Sequence, residues 1–98
     1  SVTLSDGRIQ NSYEIKLNSK VTAPGRVRIA ISGLDGAELD LGGLDVVTLD
    51  PEQRLRVMAK IKLTMSGSGG RREFQFVLTP DGALGQAPIR LQATFHGP

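Results

Sequence analysis

Side chains that commonly do chemistry are few and scattered in this 98-residue chain. It has no cysteine and a single histidine, His96. A transition-metal site would therefore need His96 beside carboxylates or the thioethers of Met58 and Met65, which suit Cu(I). Met58 stands among Arg54, Arg56, Lys60 and Lys62, whose charge repels a cation. Met65 reads as corner filler, the commoner use of methionine. The acids Asp35, Glu38, Asp40 and Asp45 lack the alternate-oxygen spacing of an EF-hand loop and read as exposed loop charges. Gly67-Ser68-Gly69-Gly70 has the small residues of a phosphate cradle, but a strand-like run follows it where a cradle needs a helix. No serine sits in a nucleophile elbow, and one histidine leaves little choice of base. With no tryptophan and one tyrosine, a stacking platform for sugars is not expected. These residues assemble no catalytic constellation, and the chain reads as non-enzymatic with no metal or cofactor of its own.

The elements that carry these residues are strands. Val27, Ile29 and Ile31 alternate with Arg26, Arg28 and Ala30, and Leu55, Val57, Ala59, Ile61 and Leu63 alternate with Arg54, Arg56, Met58, Lys60 and Lys62. A strand sends successive side chains to opposite faces, so each run has one buried and one wet face. A helix competes over 54–63, but its apolar face would include Lys62. The strand places five apolar residues on one side.

The chain divides into strands at Ser1–Leu4, Ile9–Asn18, Arg26–Ser32, Glu38–Leu41, Val46–Leu49, Arg54–Leu63, Arg72–Thr79 and Pro88–His96. Asp6-Gly7, Pro24-Gly25, Gly33 to Gly36, Asp50-Pro51, Ser66 to Gly70 and Thr79 to Gly82 separate them as turns or loops. One-sided strands satisfy themselves by stacking two sheets face to face or by closing a barrel. The expected fold is an all-β, antiparallel immunoglobulin-like or fibronectin-III-like β-sandwich of seven or eight strands, forming a single domain over 1–98. Its expected core set is Tyr13, Ile15, Leu17, Val27, Ile29, Ile31, Leu55, Val57, Ile61, Phe74, Phe76, Ile89, Leu91 and Phe95.

The net charge of +2 is too small to imply a nucleic-acid partner. Its distribution is uneven: Asp35 to Glu52 holds six acids and no base, and Gln53 to Arg72 six bases and no acid. Runs of this kind are ordinarily solvated faces. The functional alternative is an interaction surface of Arg54, Arg56, Lys60 and Lys62 with Asp35, Glu38, Asp40 and Asp45, facing a protein partner or an anionic membrane. No apolar run approaches the ~18 residues of a membrane span, and no signal-peptide pattern opens the chain. It reads as an excised domain of a larger protein.

Three stretches together resemble a known family. They are Asp6-Gly7-Arg8-Ile9-Gln10-Asn11-Ser12-Tyr13-Glu14-Ile15-Lys16-Leu17-Asn18, then Gly33-Leu34-Asp35-Gly36-Ala37-Glu38-Leu39, and the ending Ala93-Thr94-Phe95-His96-Gly97-Pro98. In order and over essentially the whole chain, they are similar to the C-terminal immunoglobulin-like domain of FixG-type membrane proteins, the CcoG or RdxA family. The resemblance implies a parent with several membrane helices and two [4Fe–4S] clusters. That parent would assist assembly of the cbb-type haem-copper oxidase by reducing copper for insertion. The clusters' ligands would lie outside this chain. The domain would stand on the periplasmic side of the bacterial inner membrane and dock an oxidase subunit, a copper chaperone or its own membrane core. A generic extracellular adhesion or carbohydrate-binding sandwich is the competing reading.

Overall fold

A computed structural model describes residues 1–18, 25–65, 70–81 and 87–98. Eight strands form: β1 (Val2–Thr3), β2 (Ile9–Asn18), β3 (Gly25–Ser32), β4 (Glu38–Asp40), β5 (Val46–Leu49), β6 (Arg54–Leu63), β7 (Arg71–Asp81) and β8 (Ile89–His96). They make two four-stranded antiparallel sheets, ordered β1-β2-β6-β4 and β5-β3-β7-β8. No helix occurs among the described residues. The alternating runs account for this layout, because each apolar face is covered only when the sheets stack.

The chain passes between sheets four times before β7. It leaves β2 for β3, returns to β4 at the far edge of the first sheet, crosses to β5 at the far edge of the second, and comes back to β6. The acidic stretch therefore lies on both sheets. Tight turns lead into β4 and β6, and at the second the N–H of Gln53 donates to the carbonyl of Asp50 at 3.1 Å. Gly36 takes φ 77°, and the N–H of Ala37 donates to the carbonyl of Leu34 at 3.3 Å. Leu34 itself is buried in the core.

The core contains Ile15, Leu17, Val27, Ile29, Val57, Ile61, Phe74, Phe76 and Phe95, as the alternation predicts. Tyr13, Ile31 and Leu55 are half-buried against it. Ile9, Leu34, Leu41, Val47, Leu49, Ala59, Leu63 and Leu78 are buried as well. Two expected core residues are not buried: Ile89 is 49% exposed and Leu91 38%. Both share the core-facing side of β8 with buried Phe95, but β8 is an edge strand. The first sheet extends past β2 only by the two residues of β1, so nothing among the described residues covers that part of β8.

The expected turn does not begin at Thr79. Pro80 and Asp81 continue β7, opposite Val27 and Arg26. A proline is tolerated where no strand needs its N–H. The pairing of β8 ends with Ile89 opposite Leu78, short of Pro80. Gly82 lies outside the described residues, as do 19–24 of the expected Asn18–Gly25 loop and 66–69 of the Gly/Ser loop.

Candidate docking surface and the inter-sheet seam

Alternation along β6 sends Arg54, Arg56, Met58 and Lys60 to solvent, with Lys62 half-buried on the same outer face. The ladder decides what stands beside them. On one side β2 places Lys16 opposite Arg56 and Asn18 opposite Arg54. On the other, β4 places Asp40 opposite Lys60 and Glu38 opposite Lys62. The basic row therefore has two unlike ends.

At the Lys62 end the charges are mixed. Lys62 Nζ lies 3.9 Å from Asp40 Oδ2. Glu38 Oε2 accepts from Arg8 Nη1 at 2.7 Å, and Arg8 Nε donates to Asp6 Oδ2 at 2.8 Å. The two carboxylates raise the pKa of the Arg8 guanidinium, Glu38 contributing most. The backbone N–H of Arg8 and then its side chain hold the Asp6 carboxyl below its usual range. Glu38 and Asp40 thus lie among the bases of the first sheet instead of forming a separate acidic patch. Asp35 and Asp45 stand exposed in the turns that lead into β4 and β5.

At the other end positive charge dominates. Arg56 Nε approaches Glu14 Oε1 at 3.5 Å, an exposed pair of small energetic value. Lys16, Arg54 and Lys60 form no ion pair among the described residues. Lys16, Asn18, Arg54, Leu55 and Arg56 line a shallow depression of ≈ 420 Å³. Lys16 completes this corner, and charge runs along the chain do not reveal it. Its outward phase follows from the alternation along β2, but its partner across the ladder does not. The corner presents several cationic donors to solvent.

The first and last of the three quoted sequence stretches meet on the opposite side, across the seam between β2 and β8. Asn11, 7% exposed, donates its Nδ2 to the carbonyl of His96 at 2.9 Å and accepts the His96 N–H on its Oδ1 at 3.0 Å. The side chain imitates a strand neighbour for the free edge of β8. Two residues on, the Tyr13 hydroxyl donates to the carbonyl of Thr94 at 2.8 Å. Ser1 Oγ donates to the carbonyl of Gly97 at 3.3 Å, and the Gly97 N–H donates to that of Gly70 at 2.8 Å. Gly97 is tightly placed, because a Cβ there would stand 3.1 Å from Met65 Cε.

Tyr13 also meets Phe74 and Phe76 edge-on, with ring centroids 5.6 and 5.3 Å away. With Phe95 fully buried, all four aromatic rings of the chain are committed to the core or its rim. None is offered as a sugar platform. Burial pushes the Tyr13 phenol up to about 12. The folded state then holds this proton more tightly than the unfolded chain, whose phenol titrates near 10. The resulting stability is complete below pH 10 and is lost as the pH rises toward 12. Urea midpoints should fall over that interval, and more steeply than in Tyr13→Phe. Parallel slopes for the two proteins would show that the phenol is not the cause.

His96 lends its backbone to the seam, Met58 is 55% exposed on the basic face, and Met65 packs against the core. The described residues contain no group of three or more His, Asp or Glu able to hold a metal ion. A [4Fe–4S] cluster does not fit this chain, which has no thiolate to offer it. No helix is long and apolar enough to cross a membrane among the described residues.

Two antiparallel four-stranded sheets, stacked and pinned at one seam, define an immunoglobulin-like sandwich. The family model that matches residues 1–98 carries the description "IG-like fold at C-terminal of FixG, putative oxidoreductase". The chain belongs to this FixG C-terminal family. Among solved structures it is similar to the crystal structure of a FixG-related protein from Vibrio parahaemolyticus. The TM-score is 0.76 at 17% identity, covering 92% of this chain and 80% of that one. At that identity the likeness concerns the fold. A comparison with curated proteins found no match.

Proposed function

We propose that this chain is the non-catalytic docking domain of a FixG-type membrane iron–sulfur protein that assists assembly of the cbb-type cytochrome oxidase. The observation that carries the reading is membership of the FixG C-terminal family over all 98 residues. The domain stands on the periplasmic side of the bacterial inner membrane. The parent's two [4Fe–4S] clusters, bound outside this chain, reduce copper for insertion. The domain contributes a rigid surface, as sandwich domains commonly do with function set on their loops and edges. The surface is the cationic corner of Lys16, Arg54 and Arg56, with Lys60 farther along β6, and it meets an acidic protein partner. An oxidase subunit, a copper chaperone and the parent's own membrane core are the candidates for that partner.

Deleting residues 1–98 from the full-length protein should lower oxidase assembly several-fold while the clusters keep their absorption spectrum. The double variant Arg54→Glu/Arg56→Glu should reproduce the assembly defect. Normal oxidase levels in both would refute the docking role. Co-sedimentation with vesicles separates a membrane partner from a protein one. Each base near an anionic bilayer contributes about 1 kcal/mol at low salt and less as ionic strength rises. Binding to anionic but not neutral vesicles, lost in the double variant, would assign the corner to lipid.

A further inference from the structure

The seam between β2 and β8 is closed at one end and open at the other. Asn11 occupies both backbone groups of His96, and Tyr13 the carbonyl of Thr94, on the side away from β7. In an antiparallel strand both backbone groups of a residue point the same way, alternating along the chain. Those of Gln92 and Arg90 therefore point to the same free edge. No strand pairs with that edge among the described residues. Beside them Ile89 and Leu91 turn toward the core side and remain 49% and 38% exposed. An unpaired edge next to uncovered apolar side chains is a template for one more strand.

We infer that the residues immediately preceding Ser1 in the longer protein form this strand, running parallel to β8 over Arg90 and Gln92 and covering Ile89 and Leu91. The direction of β1 supports this occupant. Val2 lies opposite Gln10 and Thr3 opposite Ile9. Traced backwards, the chain heads past Asn11 toward Tyr13 and Ile15, along the seam. Ser1 has already reached the β8 side, where its hydroxyl meets the carbonyl of Gly97. Spanning from Gly97 back to Arg90 needs about seven extended residues. Apolar side chains at alternate positions of that segment would complete the core between the sheets. The added strand ties the domain stiffly to the chain ahead of it, so the cationic corner is held at a set angle to the rest of the parent. This inference rests on the reading of the chain as the C-terminal domain of a longer protein, in keeping with its family.

Hydrogen exchange read by mass spectrometry tests it, comparing the full-length protein with the 98-residue chain. The amides of Arg90 and Gln92 should exchange about tenfold or more slowly in the full-length protein, since pairing removes them from solvent. The variant Leu91→Glu should remove that protection while leaving the urea midpoint of the 98-residue chain unchanged. Equal exchange in both proteins would overturn the inference. So would protection that develops in the 98-residue chain as its concentration rises, which would place a second copy on the edge. Either failure leaves the docking role standing if deletion of the domain still lowers oxidase assembly.

Discussion

Ile61→Ala is expected to destabilise the domain by about 2–5 kcal/mol, a large share of what a chain of this size possesses. Ile61 is wholly buried on β6, one of the two ten-residue interior strands of the first sheet. It is paired with Asn11 on one side and Leu39 on the other. Both neighbours are held by ladders, so the backbone cannot close over the missing atoms. Alanine then loses the transfer free energy of the removed carbons and leaves a cavity besides. Equilibrium urea denaturation checks this, with the slope unchanged and the midpoint moved. A loss below ~0.5 kcal/mol would mean that the site is not a packed core position.

Asn11→Ala should cost about 2–4 kcal/mol by a different mechanism. Truncation leaves the His96 N–H and carbonyl without partners at a nearly closed seam, and each orphaned group costs roughly 1–3 kcal/mol. The buried volume lost is small, so cavity formation does not explain an effect of that size. Asn11→Asp separates the two hydrogen bonds. Its carboxylate still accepts from the His96 N–H but cannot donate to the His96 carbonyl. It should therefore also destabilise, although it is close to asparagine in shape. If Asn11→Asp is as stable as the parent domain, the Nδ2 donor contributes nothing. If Asn11→Ala costs less than 1 kcal/mol, water satisfies the seam.

These two residues mark different degrees of legibility. The burial of Ile61 follows from the phase of its own strand, because alternation along 54–63 leaves no other face for five apolar side chains. Asn11 sits in phase with the apolar residues of β2, and phase by itself argues against burying an amide there. Only the approach of β8, 85 residues away in sequence, supplies the two groups that make it favourable. The same limit explains the exposed residues of β8. Ile89 and Leu91 have the phase of core residues, and alternation states which face of a strand is apolar. It does not state whether another sheet reaches that face.

The charged surface divides the same way. The outward phase of Arg54, Arg56, Lys60 and Lys62 was readable from β6. The mixing of Glu38 and Asp40 with one end of that row, and the addition of Lys16 to the other, were set by the ladders of β4 and β2. Strand pairing is a long-range choice among edges, decided by the summed packing of whole faces, and no local pattern encodes it. The sequence by itself determined the two-sheet sandwich and, to within two residues, the strand limits, because side-chain alternation and turn chemistry act over a few residues; the family was legible only through the resemblance of the three quoted stretches. The tertiary structure alone decided the Asn11–Tyr13 seam, the open edge of β8 and the cationic corner. Each of these is made by strands that are neighbours in space and distant along the chain.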